Sequence, residues 1–452
     1  MQATDFKNKK VMVFGWARSG KAAAQLLTKL GSRVTVVNGD EFDAQDATYR
    51  DLLAADVALI GTDNSETLDS TYDYLIKNPG INYDHPLVQK AEKLNIPILT
   101  EVEVALSIFK GRLIAVTGSN GKTTTTSLIR DMLKADGQNV ITAGNIGVPV
   151  SEVVFDLTQE DTLLLELSSF QLLGLPDIQP DIALITNIFS NHLDYHKTRA
   201  NYVAAKFRIT RNQNANQYLI LNAEGQDTEK FKNETEAQVL EFSRTKQHFP
   251  VAFSDDNLVM TDEIVMPTKD IKLVGPHNQE NILAAVTVAN LAGVSKPAIR
   301  EVLKTFSGVA HRLQYLFTAG DVKYYNDSKA TDIEATQTAL DSFDCPTIWI
   351  GGGLERGDNL ERLLPNLKNV KAVIAVGETQ QKIVTLAREA GKPVIAVTDV
   401  EHAAPVAVQL ASPGDVVLLS PAQASWDQYS SFEERGDNFV ASLKETLNSR
   451  ED

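Results

Sequence analysis

A single strand–loop–helix segment near residue 117 constrains the fold of this chain more than any other. The apolar run Leu113–Val116 is typical of a buried strand, and TGSNGKTT at residues 117–124 and a helical stretch follow it at once. Two glycines let backbone N–H groups turn towards one point, where Lys122 adds a compact positive charge. Thr123 offers a hydroxyl to Mg²⁺, and the start of the helix favours an anion. The segment therefore predicts a loop that binds a nucleoside triphosphate.

This loop departs from the strict phosphate-loop motif at one position. The motif has glycine where this chain has Val116, so the loop is a variant and not the common GTPase or kinase type. The alternative is an ordinary glycine turn before a helix. Phosphate binding is favoured because the lysine and the hydroxyl are both in place.

Composition limits the class of protein. A length of 452 residues predicts about three domains, and 43% apolar with 23% charged residues is typical of a globular protein. The net charge of −16 gives no overall attraction to nucleic acid or to an anionic membrane. The single cysteine, Cys345, excludes an internal disulfide and fits a reducing compartment. With no bilayer-length apolar run and no signal peptide, we expect a cytoplasmic monomer with neither nucleic-acid nor membrane partners.

The first segment, residues 1–110, alternates strands with helical stretches and predicts an open parallel sheet. Its strands include Val11–Phe14, Val34–Val37 and Val57–Ile60. The turn Gly15–Gly20 resembles a dinucleotide fingerprint but lacks the middle glycine, so it argues only weakly for a nicotinamide cofactor. Its backbone amides are equally suited to the diphosphate of another nucleotide. Asn78–Ile81 is predicted to form a rigid turn at the same rim.

The second segment, residues 111–308, carries the phosphate loop. Glu166 closes the apolar strand Leu163–Leu165, which is where a Mg²⁺-binding carboxylate would lie beside that loop. A strand-end charge facing solvent is the alternative. His192 lies just past the strand Ile182–Asn187, and this setting favours a ligand contact over the structural role that a lone histidine usually has.

The third segment, residues 309–452, repeats strand and helix units after a predicted hinge at Ser307–Gly308. Polar or glycine-rich turns follow several of its strands, as at residues 351–353. The predicted fold class is therefore α/β with three domains. A Rossmann-like N-terminal domain precedes a central phosphate-loop ATPase domain with a mostly parallel sheet, and a Rossmann-like C-terminal domain follows.

Taken together, the motifs resemble one family, the Mur ligases of peptidoglycan synthesis, and the resemblance covers all three segments in order. The motifs that carry it lie at residues 117–123, 166–172, 187–196, 275–281, 311–312, 326–331 and 420–436. Residues 326–331 and 430–436 resemble the branch that adds D-glutamate. Sibling ligases usually have a Tyr-Ala-His type motif at the former position, which this chain lacks.

The resemblance implies a reaction and an assignment of domains. ATP activates the carboxylate of UDP-N-acetylmuramoyl-L-alanine as an acyl phosphate, and the amine of D-glutamate attacks it in the presence of Mg²⁺, with two ions expected. Residues 1–110 are expected to bind the UDP-sugar substrate, 111–308 ATP, and 309–452 D-glutamate.

The resemblance also implies roles for individual residues. Lys122 is expected at the β- and γ-phosphates, Asn278 and Asn281 near adenine, Asp327 at the ribose and Arg312 over the γ-phosphate. The expected ATP contacts are Gly118, Ser119, Asn120, Gly121, Lys122, Thr123, Thr124, Asn278, Asn281, Arg312 and Asp327. The expected Mg²⁺ contacts are Thr123, Glu166, His192 and Lys206, with His192 expected at a second Mg²⁺ or at the reacting carboxylate. The expected catalytic residues are Lys122, His192, Lys206, Arg312 and Lys329.

Lys206 matches a lysine that family members carry as a carbamate, which turns an ammonium into a metal-binding carboxylate. The alternative is a solvated lysine on a helix. The expected contacts to the UDP substrate are Trp16, Ala17, Arg18, Asn38, Gly80 and Asn145, although Arg18 could equally be a solvated residue at a helix start.

For D-glutamate, the resemblance implies Thr331, Arg356, Ser425 and Phe432. Some family members have lysine at the position of Arg356, and a guanidinium can bind a carboxylate through two hydrogen bonds. Gln423 and Trp426 flank Ser425 differently from the family pattern.

Three other functions stay open at this point. The first is a sibling ligase with a different acceptor, such as a folylpolyglutamate synthase-like enzyme, although that enzyme usually begins with its ATP domain. The second is a nicotinamide-dependent oxidoreductase, which rests only on Gly15–Gly20 and leaves Lys122 and Glu166 unexplained. The third is an ATP-gated binding or switch protein that performs no ligation.

Overall fold

A computed structural model of the chain describes residues 1–62, 64–189, 192–246, 249–261 and 263–451. It divides into two compact units. The first comprises Met1–Thr268 and Glu280–Val302, and the second comprises Lys269–Gln279 and Leu303–Asp452. The division into three domains with boundaries at 110 and 308 stays a prediction.

The first unit begins with a five-stranded parallel sheet of strand order β3-β2-β1-β4-β5. Its strands are β1 (Lys10–Phe14), β2 (Arg33–Val37), β3 (Ala58–Ile60), β4 (Tyr74–Lys77) and β5 (Ile98–Leu99). Its helices are α1 (Arg18–Lys29), α2 (Ala47–Ala54), α3 (Pro86–Lys93) and α4 (Glu101–Leu106). The strand order reverses between β1 and β4, so the loops that follow these two strands meet at the point where open parallel sheets bind ligands.

The second sheet of the first unit has six parallel strands in the order β11-β10-β9-β6-β8-β7. Its strands are β6 (Arg112–Thr117), β7 (Val140–Gly144), β8 (Thr162–Glu166), β9 (Ile182–Ile185), β10 (Tyr218–Asn222) and β11 (Gln238–Phe242). Its helices are α5 (Lys122–Ala135), α6 (Val150–Val153), α7 (Ser169–Leu172), α8 (Leu193–His196), α9 (Arg199–Phe207) and α10 (Thr228–Glu234). Strands β8 and β9 are buried along their whole length, which explains their continuous apolar sequences.

A small antiparallel sheet completes the strands of this unit. It contains β12 (Val251–Ser254), β13 (Asn257–Met260) and β14 (Glu263–Pro267). Helices α11 (Pro276–Leu291) and α12 (Lys296–Thr305) follow, and each of them contains a boundary between the two units.

The second unit contains one six-stranded sheet of order β15-β16-β20-β17-β18-β19. Its strands are β15 (Gln314–Ala319), β16 (Val322–Asn326), β17 (Thr347–Gly351), β18 (Val370–Ala375), β19 (Val394–Ala396) and β20 (Val416–Leu419). Its helices are α13 (Ile333–Leu340), α14 (Gln380–Glu389), α15 (Val400–Leu410) and α16 (Phe432–Glu451). Only the β15–β16 pair is antiparallel. Separate apolar clusters cover its two faces, with Trp349 in one and Phe439 in the other.

The predicted fold class is confirmed, because each of the three large sheets is parallel or mostly parallel and has helices between its strands. Among the helices that the structure describes, none is long and apolar enough to cross a membrane.

Candidate active site

The phosphate loop joins β6 to α5, as predicted, and its two glycines are required by geometry. Gly118 has a φ of +148° and Gly121 a φ of +78°. A Cβ atom at Gly118 would lie 1.9 Å from Oγ1 of Thr186, and one at Gly121 would lie 2.1 Å from Oδ1 of Asn281. A larger side chain at either position would therefore strain the backbone and clash unless the loop or these neighbouring side chains shifted.

Two lysines converge on the carbonyl oxygen of Gly118. Lys122 donates to it at 2.9 Å and to the carbonyl of Ser119 at 2.7 Å, whereas Lys206 donates to it at 2.7 Å. Both ammonium groups are thus held at the loop, where the phosphates of a nucleotide are expected.

The other residues of the loop are tied to the end of β9. Oγ of Ser119 accepts a hydrogen bond from the N–H of Phe189, and the N–H of Asn120 donates to Oδ1 of Asn187 at 2.9 Å. Thr123 and Thr124 are both buried at the start of α5. The loop is therefore held by its neighbours in a fixed shape.

Glu166 lies beside this loop because it pairs with Val116 across β6 and β8. It is 1% exposed, so the solvent-facing alternative is wrong. Its Oε1 accepts a 2.7 Å hydrogen bond from Nδ2 of Asn145. Its Oε2 is buried and has no hydrogen-bond partner among the described residues. A buried carboxylate oxygen without a partner is costly, and a bound cation would supply one.

Lys206 on α9 is only 2% exposed, so the alternative of a solvated helix lysine is also wrong. Burial and the nearby Lys122 charge lower the pKa of its ammonium well below the usual value, and Glu166 opposes this shift. Its Nζ lies 4.8 Å from the centroid of the Tyr202 ring. The amine of Lys206 is thereby shifted towards its neutral form.

His192 is exposed and adopts a left-handed backbone conformation with a φ of +53°. Its ring lies 5.0 Å from that of Phe170, measured between centroids. Ser190 and Asn191, which belong to the same sequence motif, lie outside the described residues.

The adenine candidates fall in different units. Asn281 belongs to the first unit, where its Oδ1 lies 3.3 Å from Oγ1 of Thr125. Asn278 belongs to the second unit, where its Nδ2 donates to the carbonyl of Val274 at 2.6 Å. Their shared role at adenine stays a prediction.

In the second unit, Asp327 follows β16 and is buried. Its Oδ1 accepts a 2.8 Å hydrogen bond from the N–H of Leu313, and its Oδ2 accepts one of 2.8 Å from Oγ of Ser420. Burial raises the pKa of this carboxyl to about 7, and Arg312 and the two hydrogen bonds oppose the rise. A contact of Asp327 with a ribose therefore has to share oxygens that the protein already uses.

The structure brings together two residues expected at D-glutamate, Arg356 and Thr331, and places the expected catalytic residue Lys329 beside a third, Phe432. Nη2 of Arg356 donates a 2.6 Å hydrogen bond to the carbonyl of Thr331. Nζ of Lys329 lies 4.9 Å from the centroid of the Phe432 ring.

Ser425 is buried beside this region, and its carbonyl accepts hydrogen bonds from the N–H groups of Gln428 and Tyr429. The N–H of Leu354 donates to the carbonyl of Ala424 at 2.9 Å, which ties the loop of Arg356 to that of Ser425.

The residues expected at the UDP substrate lie in the segments that follow β1, β2, β4 and β7. The N–H of Trp16 donates to Oδ1 of Asn38 at 3.2 Å, and Ala17 precedes the first residue of α1. Arg18 makes two 2.9 Å hydrogen bonds to Glu152, so it is paired, although it is also largely exposed. Gly80 is exposed, with no atom within 4 Å of a Cβ added there.

Sequence reasoning did not single out several polar residues that the structure buries, among them a lysine and an arginine. Lys77, at the end of β4, is 1% exposed, and Arg435, on α16, is 2% exposed. Lys77 carried a signal that could have found it, because it closes an apolar strand in the same way as Glu166. Arg435 lies on a polar helix start, where an exposed side chain is the ordinary expectation.

The fold and the phosphate loop define a nucleotide-binding α/β protein, and comparisons with known proteins narrow this class. The Mur ligase middle domain matches residues 116–289, and the glutamate ligase domain of the Mur ligases matches residues 311–423. A UDP-N-acetylmuramoylalanine--D-glutamate ligase of Leuconostoc mesenteroides is 96% identical over 449 residues, covering 99% of this chain and 100% of the relative. A ligase of the same name from Streptococcus mutans is 45% identical over 442 residues, covering 97% and 98%.

Solved structures agree at the level of the fold. The UDP-N-acetylmuramate-alanine ligase MurC from Thermotoga maritima aligns with a TM-score of 0.59 at 17% identity, covering 97% of this chain and 100% of that one. The MurF ligase from Thermotoga maritima in complex with ADP aligns with a TM-score of 0.56 at 18% identity, covering 100% and 97%. This chain belongs to the Mur ligase family, and the full-length relatives above place it in the D-glutamate ligase group.

Proposed function

We propose that this Mur ligase uses ATP to join D-glutamate to UDP-N-acetylmuramoyl-L-alanine through an acyl phosphate. The observation that carries the proposal is the set of three groups at the phosphate loop. Lys122 and Lys206 both donate to the Gly118 carbonyl, and the buried carboxylate of Glu166 lies beside them. The relatives' name supplies the identity of the amino acid.

The chemistry requires activation of a carboxylate, because its negative charge repels an amine. Transfer of the γ-phosphoryl group replaces that charge with a good leaving group, after which the D-glutamate amine attacks the carbonyl carbon and phosphate leaves. Phosphoryl transfer needs mainly positioning and charge neutralisation. Lys122 is held at the loop to neutralise phosphate oxygens, and the glycine geometry lets backbone N–H groups approach the same oxygens. The expected part of Arg312 and Lys329 in this step stays a prediction.

The residues at the loop fit Mg²⁺. The partnerless Oε2 of Glu166 and the hydroxyl of Thr123 are oxygen ligands of the kind that this ion prefers. No cluster of three acidic, histidine or cysteine side chains suited to a metal occurs within the described ranges. Mg²⁺ is usually bound by one or two carboxylates together with substrate phosphates and water, so a sparse set of protein ligands is what this ion needs. When bound, it neutralises charge on the phosphates.

We extend the proposal to a carbamate on Lys206. A carbamate forms when a neutral amine attacks CO₂ and releases one proton, and burial shifts Lys206 towards the neutral amine. The product carries a carboxylate-like group whose oxygens lie two bonds beyond Nζ, near Glu166 and Lys122. It would remove the cost of burying an unpaired ammonium and would add a second anionic ligand for metal, with His192 as a further candidate.

The proposed substrate sites rest on the family resemblance, and the contacts Thr331–Arg356 and Trp16–Asn38 support them. D-glutamate is proposed to bind Thr331, Arg356, Ser425 and Phe432, and the UDP substrate Trp16, Ala17, Arg18, Asn38, Gly80 and Asn145. Residues 1–110, 111–308 and 309–452 are proposed as the UDP-substrate, ATP and D-glutamate domains. Because the proposed substrates are a free nucleotide sugar and ATP, we place the reaction in the cytoplasm.

One experiment tests the proposed activity. ADP release is measured with UDP-N-acetylmuramoyl-L-alanine while D-glutamate, L-lysine, meso-diaminopimelate or L-alanine is offered in turn. Of these four amino acids, we expect only D-glutamate to support ADP release. Release that follows another amino acid would overturn the acceptor assignment, and nucleotide binding without any amino-acid-dependent release would indicate a switch protein instead.

A further inference from the structure

A buried lysine holds the loop that follows β4. Lys77 closes this strand, and its Nζ lies within 3.2 Å of four oxygens. Three of these are backbone carbonyls of the loop, from Asn78 at 3.2 Å, Pro79 at 3.1 Å and Ile81 at 2.6 Å. The fourth is the hydroxyl of Tyr195, at 3.2 Å. The loop therefore wraps around a single ammonium group.

The acceptors around Lys77 are unusual for a buried cation. Within the part of the chain that the structure describes, no carboxylate forms an ion pair with it, and its partners are neutral oxygens and the rings of Tyr83 and Tyr195. Burial accordingly lowers the pKa of this ammonium to about 8. A methionine would fill the same space without this desolvation cost. The ammonium is thus suited to fixing the directions of several carbonyls at once, a task that an apolar side chain cannot perform.

Tyr195 extends this arrangement to the second sheet. Its hydroxyl lies 3.3 Å from the Pro79 carbonyl and 3.0 Å from the Ile81 carbonyl. Its ring packs on Phe170, with centroids 4.4 Å apart, and Phe170 in turn lies 5.0 Å from the His192 ring. A continuous set of contacts therefore joins the loop after β4 to the residue expected at the metal or the reacting carboxylate.

We propose that Lys77 and Tyr195 are positioning residues that hold the Asn78–Ile81 loop in the shape that binds the UDP substrate, and fix it relative to the His192 segment. Neither residue needs to touch the reacting atoms. Gly80 lies at the exposed tip of this loop, so the carbonyls that Lys77 gathers determine where Gly80 is presented. The inference rests on the proposed assignment of Gly80 to the UDP substrate.

The test uses Lys77→Met and Tyr195→Phe in the full-length enzyme. Lys77→Met removes the ammonium at similar volume, and Tyr195→Phe removes one hydroxyl while it keeps the ring on Phe170. We expect Lys77→Met to raise the KM for UDP-N-acetylmuramoyl-L-alanine about 10-fold or more, and Tyr195→Phe about 3- to 10-fold. The KM values for ATP and D-glutamate should change less than about twofold. Because both residues hold the same carbonyls, the double variant should lose less than the product of the single effects.

Lys90→Met is the matched control. Lys90 also donates to a backbone carbonyl, that of Ser65, but it is more exposed and lies on α3. The Lys90→Met variant should leave the KM values for the UDP substrate, ATP and D-glutamate unchanged. Thermal unfolding of each variant shows whether it folds, and Tyr195→Phe carries the test if Lys77→Met does not fold.

Three outcomes would overturn the inference, and they differ in which other assignments they contradict. If Gly80→Leu raises the KM for the UDP substrate but Lys77→Met and Tyr195→Phe do not, only the positioning role is wrong. If Gly80→Leu leaves that KM unchanged, the assignment of the loop to this substrate is wrong, and the positioning role is lost with it. Equal increases in all three KM values for Tyr195→Phe would indicate a general loss of structure and would also contradict the proposal.

Discussion

Nζ of Lys206 donates a 2.7 Å hydrogen bond to the carbonyl oxygen of Gly118, the first glycine of the phosphate loop. Lys122 donates to the same oxygen at 2.9 Å, so two ammonium groups share one acceptor. Like charges at this spacing repel, and burial adds to the cost of the second charge. Burial is the larger cause of the lowered pKa of Lys206 and the Lys122 charge is the smaller one, and this shift favours the neutral amine that a reaction with CO₂ requires.

We expect Lys206 to carry a carbamate in solution. Enzyme equilibrated with ¹³C-bicarbonate should give a carbamate ¹³C resonance, and removal of CO₂ from the buffer should lower activity reversibly. Lys206→Met should lose the resonance and lower kcat by about 100-fold or more. Lys134→Met, which changes an exposed lysine near the end of α5, should keep both the resonance and the activity. A wild-type enzyme without this resonance, and with activity that does not depend on CO₂, would contradict the carbamate.

Lys122 and Glu166 should both be required for turnover, for different reasons. Lys122→Ala removes the charge expected on the phosphates, and we expect kcat/KM to fall by about 10³-fold or more. Glu166→Gln keeps an oxygen for Asn145 but removes the negative charge, so it should raise the Mg²⁺ concentration needed for half-maximal rate. Steady-state kinetics at several Mg²⁺ concentrations measures both effects, with the exposed Glu160→Gln as a control. Full activity in Glu166→Gln would remove this residue from the site.

The sequence predicted the phosphate loop and its surroundings well because their chemistry is local. The strand, the glycines and Lys122 are contiguous, and Glu166 follows an apolar strand that β pairing places next to them. These features depend on spacing along one chain segment and on the rule that ligands lie at strand ends.

Burial was harder to predict than position. The helical position of Lys206 does not indicate burial, and the strand-end position of Lys77 only suggests it. The packing of α9 and of the loop after β4 removes both side chains from water. One of the four oxygens around Nζ of Lys77 is the hydroxyl of Tyr195, which lies 118 positions away in the sequence. No local sequence pattern specifies such a pairing. Packing also decides that Oε2 of Glu166 lacks a hydrogen-bond partner among the described residues. The sequence gives the residue but not its hydrogen bonds.

Arg356 should determine the affinity for D-glutamate more than the rate of catalysis. Its hydrogen bond to the Thr331 carbonyl holds the guanidinium near a second expected contact to this substrate. Because a hydrogen bond to a charged group contributes about 1.5–3 kcal/mol, Arg356→Ala should raise the KM for D-glutamate by about 10- to 100-fold. The KM values for ATP and the UDP substrate should stay within about twofold.

The conservative change and a control complete this test. Arg356→Lys keeps a positive charge but cannot bind a carboxylate in the bidentate geometry of a guanidinium. Its KM for D-glutamate should therefore lie between those of the wild type and Arg356→Ala. Arg362→Ala removes an exposed guanidinium in the same unit, which pairs with Glu334, and should change none of these values. An unchanged KM for D-glutamate in Arg356→Ala would mean that the acceptor site lies elsewhere.

Asp327 should make the stability of the second unit depend on pH in a definite direction. Burial raises the pKa of its carboxyl from 3.8 to about 7, so the folded state holds the proton more tightly than the unfolded state does. This contribution to stability is fully present below about pH 4 and is lost as pH rises through about 7, with an upper limit of about 4 kcal/mol. Asp327→Asn should therefore reduce the loss of stability between pH 5 and pH 8, as measured by urea unfolding without nucleotide. The exposed Asp344→Asn should follow the wild type. An Asp327→Asn curve parallel to the wild type over this range would show that the carboxylate stays charged in the folded protein, stabilised by Leu313, Ser420 and Arg312.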